Sequence, residues 1–305
     1  MRDKPARPIT EEESHTLLRD GAVLIKGVLS DQWVEQLARG LDDAIRGPDT
    51  MVHDLSAELR TDQFPYKHSE ALRPIVEASP VAEIAGRAAQ TSVRFYMDQL
   101  FYKPKGHIPP TPWHQDTCYY NVAGQQLIRT WVSPDPVPRE ASIEVVRGSH
   151  LWNVTYRSLA GRDPDHDAAA RSQQENNPPD VPMLGVDAFE GWDYFSGVRD
   201  NSAPLVPEIE GHRDSYDIIG WDYEPGDVLV FYAHILHGAR GDVESPTGRR
   251  AHALLWAGED VRYLHRPGQI IPDPAPLYAH EPKTGQWLSE FPDVFPVAWA
   301  ADRAA

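Results

Sequence analysis

The sequence predicts a mainly β protein, a sandwich or jelly roll, with α-helices at its N-terminal end. Three observations carry that expectation. From about Val93 onward, short runs rich in β-branched and aromatic residues recur. Turn residues such as Pro104-Lys105-Gly106, Gly148-Ser149, Pro225-Gly226-Asp227 and Gly238 separate them. No helical repeat alternates with these runs, so crossover helices and a parallel sheet are not expected.

The first ninety residues read as mostly helical and packed against the β part. Thr10 and Glu13 form a capping box that opens a helix. An apolar strand is expected at 22–25, after Gly21. Ser30 then starts a second helix, whose Val34, Leu37, Ala38, Leu41 and Ile45 share one face and belong to the core. Strands are expected at 94–102, 127–132, 142–146, 217–223, 228–236 and 250–256. Residues 151–211 form a polar insertion rich in Pro, Asp and Asn, read as a lid or active-site cover. His166 lies there among aspartates and is read as part of a solvated loop. The Pro-rich, aromatic tail from 266 to 305 is expected to wrap the β part, making residues 1–305 a single domain.

Composition narrows the function. Net charge is −17, from 29 basic and 46 acidic residues, which disfavours nucleic acid as a partner. No apolar stretch is long enough for a membrane span, and the first residues lack the apolar core of a signal peptide. Cys118 is the single cysteine, so neither an internal disulfide nor a cysteine-based metal cluster is available. A cytoplasmic location is expected.

The chemistry centres on Trp113-His114-Gln115-Asp116. In extended chain, residues two apart point the same way, so His114 and Asp116 can meet one divalent ion. A second histidine would complete a two-histidine, one-carboxylate face that leaves coordination positions open. The apolar run from Val228 ends in His234-Ile235-Leu236-His237-Gly238, and either histidine could serve. They are three apart, so on a strand they face opposite sides. Twelve residues beyond His237 comes Arg249-Arg250. A buried carboxylate of a chelating co-substrate needs a guanidinium. Arg249 shares its strand face with Ala251 and Ala253, the better lining for a narrow interior, and is preferred over Arg250.

Taken together, these segments resemble the phytanoyl-CoA dioxygenase family of iron(II)/2-oxoglutarate oxygenases. The resemblance runs through 96–106 with its Lys-Pro-x-Gly turn, Thr111–Asp116, the Val-x-Gly-Ser-His turn at 146–150, 224–238, and 249–251. It implies a double-stranded β-helix, the cupin-like jelly roll, with helices packed outside. It favours His237 as the third ligand and implies that Gln99 and Trp131 line the 2-oxoglutarate pocket beside Arg249. The implied activity consumes iron(II)-bound 2-oxoglutarate and O2, releases succinate and carbon dioxide, and hydroxylates a small molecule. Retention of Asp116 argues against halogenation, which requires a small residue there. Ala239 departs from the family, which often has Ser at that place. The competing readings are a cupin-like metal enzyme that does not use 2-oxoglutarate, and a non-catalytic jelly-roll binding module.

Overall fold

The computed structural model describes residues 2–46, 52–56, 59–156, 204–241, 243–245, 247–265 and 282–301. Most of the expected cover at 151–211 and the start of the 266–305 tail, His166 included, lie outside these residues.

Four helices lead or interrupt the N-terminal third: α1 (Glu11–Asp20), α2 (Asp31–Arg46), α3 (Arg73–Glu77) and α4 (Val81–Ala89). The capping box forms as the sequence predicts. The Glu13 amide donates to the Thr10 hydroxyl at 3.2 Å, and the Thr10 amide donates to the Glu13 carboxylate at 2.8 Å. On α2 the buried stripe is Leu37, Gly40, Leu41 and Ala44, with Val34 and Ile45 packed at its margins.

The strands, in chain order, begin with β1 (Ala22–Ile25), β2 (Val52–Ser56), β3 (Leu59–Gln63), β4 (Val93–Lys103), β5 (Gly106–Ile108) and β6 (Thr111–His114). They continue with β7 (Val122–Ala123), β8 (Leu127–Val132), β9 (Glu144–Val146), β10 (Ile218–Gly220) and β11 (Val228–Tyr232). The last are β12 (His237–Ala239), β13 (Val243–Ser245), β14 (Arg249–Ala257), β15 (Arg262–Tyr263) and β16 (Val297–Trp299). The large sheet runs β1-β11-β8-β14-β4-β3-β2, with β16 also paired to β4. A four-stranded sheet, β10-β9-β12-β6, faces it, and all these pairings are antiparallel. This is the jelly roll expected of the sequence.

Strand alternation sorts the large sheet into two chemical surfaces. Val230, Tyr232, Ile128, Val132, Leu254, Trp256 and Leu100 point outward into the layer formed with the helices. Trp131, Leu229, Phe231, Ala251 and Ala253 point inward, toward Val145 and Ile219 of the facing sheet. The helices thus bury the convex face, and the concave face is free to form a site. The described part of the tail adds Phe291 and Phe295 to a third cluster with Tyr96, Met97, Tyr120 and Leu255.

Two expectations need correction. The first eighty residues are not all helix and short strand, because β2 and β3 form a hairpin that extends the large sheet past β4. The run 228–236 is not one strand: β11 stops at Tyr232, the chain turns through 233–236, and His237 opens a new strand in the other sheet. Both flanking strands are buried on both faces, so the apolar pattern conceals the corner.

Trp256 ties the convex face together. It is fully buried, its indole N–H donates to Thr130 Oγ1 at 2.9 Å, and its ring meets Phe95 edge-on at 5.8 Å. Trp256→Ala should cost about 3–5 kcal/mol of unfolding free energy in urea. A loss below about 1 kcal/mol, the size typical of surface changes, would contradict this packing.

Candidate active site

Two adjacent strands of the four-stranded sheet deliver the histidines. His237, first residue of β12, stands directly opposite His114, last residue of β6. Cross-strand partners share a face, and here the ring centroids lie 4.1 Å apart. His114 Nδ1 is 2.8 Å from the Pro112 carbonyl, and His237 Nδ1 is 3.0 Å from the Ile235 carbonyl. A carbonyl only accepts, so each Nδ1 carries the proton and each Nε2 keeps its lone pair. Asp116 Oδ1 lies 3.5 Å from His114 Nε2 and 3.6 Å from His237 Nε2. One ligand atom from each of the three residues falls within 4.8 Å of the others. His234 lies in the turn and is not part of this cluster.

The turn that breaks the long apolar run is what sets Asp116. The Ala233 carbonyl accepts from the Asp116 amide at 2.9 Å and the Thr117 amide at 3.2 Å. Gln115 stitches the same corner: its amide donates to the His234 and Val154 carbonyls at 2.7 and 3.0 Å, and its oxygen accepts from the Tyr156 amide at 2.8 Å. Ser149 completes the frame, its hydroxyl accepting from the Leu236 amide at 2.8 Å. The Gly-Ser-His turn therefore fixes where β12 begins.

Electrostatics keep Asp116 and His237 ready for a cation. Burial would push the Asp116 carboxyl up, but Arg129, with His237 and His114, more than offsets this and holds it below the usual carboxylate range. Burial, with His114 beside it, pulls His237 down to about 4, so its ring is neutral near pH 7. Arg129 was missed in the sequence reading. Its Nε lies 3.2 Å from Asp116 Oδ2, both side chains are buried, and its Nη2 donates to Gln99 Oε1. A signal was present: Arg129 is two residues from Trp131 on an otherwise apolar strand, so both face inward.

A cavity of about 150 Å³ opens beside the cluster. Its lining includes Gln99, Trp131 and Arg249, together with Phe101, Tyr119 and Phe231. A larger depression of about 510 Å³, bordered by Ser92, Arg94 and Glu259, brings together no cluster of metal-ligating groups. Arg249 lies over the Trp131 ring at 5.6 Å, and its Nη1 donates to the Ala141 carbonyl. Its Nε is buried and has no hydrogen-bond partner. Burial alone pulls its guanidinium down to about 10, so it remains charged near pH 7. Arg250 points to the other face, where Asp135 and Asp42 bind it at 2.6 and 2.7 Å. Ala239 lines the cavity where the resembling family often has a hydroxyl.

The donor set fits iron(II): two imidazoles and one carboxylate, with a side open to the cavity. The orphaned Nε of Arg249 fits a carboxylate acceptor, which is what a chelating 2-oxo acid would bring.

Residues 17–251 match the phytanoyl-CoA dioxygenase (PhyH) family. The chain is 23% identical over 272 residues to the ectoine dioxygenase of Sphingopyxis alaskensis, covering 85% of this chain and 79% of that one. Among solved structures, the epimerase SnoN from nogalamycin biosynthesis, in complex with Fe3+, alpha ketoglutarate and nogalamycin RO, is similar with a TM-score of 0.62 at 19% identity. That alignment covers 94% of this chain and 98% of SnoN. EctD from S. alaskensis with 2-oxoglutarate and 5-hydroxyectoine is similar with a TM-score of 0.59 at 16% identity, covering 92% of this chain and 86% of EctD.

The depressed His237 has a consequence for acid stability. Its ordinary value is 6.5 and its folded value is about 4. Between the two, the unfolded chain binds the extra proton, so stability of the metal-free protein falls as pH drops through that window. His237 should add up to about 1.4 kcal/mol per pH unit to this slope. Urea titrations of native protein and His237→Gln at several pH values check this, and identical slopes would contradict it.

Proposed function

Because this chain belongs to the phytanoyl-CoA dioxygenase family, we propose that it oxidises a small organic molecule at an iron centre held by His114, Asp116 and His237. It is an iron(II)- and 2-oxoglutarate-dependent oxygenase, which uses O2. The observation that carries the residue assignment is the convergence of three ligand atoms beside a cavity that also contains a buried, incompletely bonded guanidinium.

In this proposal the two imidazole Nε2 atoms and Asp116 Oδ1 hold iron(II). Arg249 takes the far carboxylate of 2-oxoglutarate, with Gln99 and Trp131 at the walls. Iron and 2-oxoglutarate together supply the oxidising power, yielding succinate, carbon dioxide and a hydroxylated product. The protein's own part is positional. The carbonyls of Pro112 and Ile235 fix the imidazole tautomers, the 233–236 turn fixes Asp116, and Trp131, Phe101 and Phe231 keep the chelate out of bulk water. A metal enzyme without 2-oxoglutarate would have no use for Arg249, whose buried Nε lacks an internal partner.

Residues 1–305 as one catalytic unit and a cytoplasmic setting belong to the same proposal. No helix among the described residues is long and apolar enough to cross a membrane. The net charge of −17 supports a small molecule over nucleic acid as the partner.

Anaerobic addition of iron(II) and then 2-oxoglutarate should produce the visible charge-transfer band of the chelate. In air, slow succinate formation should follow even without substrate. Arg249→Ala should weaken 2-oxoglutarate binding by about 30-fold or more, as expected when one partner of a buried charge pair is removed. Arg250→Ala should lower stability through its lost ties to Asp135 and Asp42, with 2-oxoglutarate binding retained. Absence of the band in native protein, or equal effects of the two substitutions, would contradict the assignment.

A further inference from the structure

The two oxygens of Asp116 face different environments. Oδ1 completes the triangle with His114 and His237 at 3.5 and 3.6 Å. Oδ2 is turned toward Arg129, 3.2 Å from its Nε, and accepts no hydrogen bond. The guanidinium is thus the charge that compensates burial of that oxygen. Arg129 is itself held in place. Its Nη2 donates to Gln99 Oε1, its side chain is hydrogen-bonded to Tyr120, and it is nearly fully buried between Phe231 of β11 and Leu255 of β14.

We propose that Arg129 is a positioning residue that restricts Asp116 to one-oxygen binding of the metal. The inference rests on the reading of His114, Asp116 and His237 as the ligand set. Its chemical importance is a matter of counting. In a six-position ion, three protein ligand atoms leave three positions. A 2-oxo acid takes two of them through its carboxylate and ketone, and one stays open. If Asp116 bound through both oxygens, its second oxygen would compete for a position the chelate needs. Holding Oδ2 against a cation makes that swing unfavourable, because it would strip a buried guanidinium of its carboxylate. The same side chain limits Gln99. Its carbonyl accepts from Arg129 Nη2, which takes up one of its two lone pairs.

The test uses the full chain, with manganese(II) as the metal probe and 2-oxoglutarate added to iron(II)-loaded protein under anaerobic conditions. Arg129→Met should leave manganese(II) binding undiminished, because the freed Oδ2 can itself become a ligand. It should weaken 2-oxoglutarate binding, read from the charge-transfer titration, by about tenfold or more. Arg129→Lys keeps a cation near Oδ2 and should stay close to native. Since a folding defect or a route through Gln99 could also weaken 2-oxoglutarate binding, the pair is repeated in an Asp116→Gly background at saturating iron. No second oxygen exists there, so Arg129→Met should cause no further loss.

An unchanged 2-oxoglutarate affinity in Arg129→Met overturns the proposal. So does a parallel loss of manganese(II) and 2-oxoglutarate binding, which marks general loosening, or a loss that persists in the Asp116→Gly background. Should native protein and Asp116→Gly bind manganese(II) equally well, the ligand set itself is wrong. A failed ligand reading is thereby separated from a failed role for Arg129.

Discussion

The site depends on one cross-strand pair. His114 and His237 stand opposite each other because of the register in which β12 meets β6 at this point, a register that shifts by one residue before Ala239 pairs with Thr111. A slip of one residue would send one imidazole to the other face of the sheet. The register is enforced from outside the strands, by the Ala233 carbonyl that gathers the amides of Asp116 and Thr117 and by the Ser149 hydroxyl that holds Leu236. The Gln115 side chain closes the same corner by bonding the backbone of His234, Val154 and Tyr156. These contacts lie one to four residues from a ligand. The geometry of the cluster is therefore set by buried hydrogen bonds to the backbone, which a surface substitution does not reach.

A second constraint is electrostatic. The concave face gathers Asp116, Arg129 and Arg249, all nearly buried among aromatic and aliphatic side chains. Buried charges are costly unless paired. Asp116 and Arg129 satisfy one another, whereas burial acts unopposed on Arg249 and pulls it down to about 10. Among the described residues Arg249 makes no ion pair, while Lys103, which lines the same cavity, donates to the Pro109 carbonyl at 2.7 Å. A guanidinium in that setting would suit the far carboxylate of a dianion such as 2-oxoglutarate, as proposed above. The convex face behaves differently. There Arg250 binds Asp135 and, on α2, Asp42, and Asp98 of β4 meets His252 of β14 at 2.8 Å, polar contacts that take no part in the site.

Much of this was legible in the sequence, for reasons that can be stated. The capping box, the α2 stripe and the limits of β8 follow from local rules that tertiary contacts do not override. Strand alternation places Arg249 and Arg250 on opposite faces, as the structure has them, since neighbouring residues must face opposite sides. The corner between β11 and β12 was not legible, because both flanks are buried on both faces and the period-2 signal disappears. His237 was preferred to His234 by resemblance, while the physical reason, a change of sheet between them, needed coordinates. The β2–β3 hairpin was missed because Thr61, Asp62 and Gln63 are polar and yet buried, against the usual pattern of a strand core. Arg129 was overlooked although alternation places it inward, since a charge inside an apolar strand has no local partner to reveal its purpose.

The whole arrangement is explained if one ion binds between His114, Asp116 and His237. A crystal of the full chain grown without oxygen in iron(II), with data collected on both sides of the iron absorption edge, addresses it most directly. The expected result is a single anomalous peak bonded to both imidazole Nε2 atoms and to Asp116 Oδ1. A peak elsewhere, or one that leaves any of these three atoms unbonded at full occupancy, would contradict it.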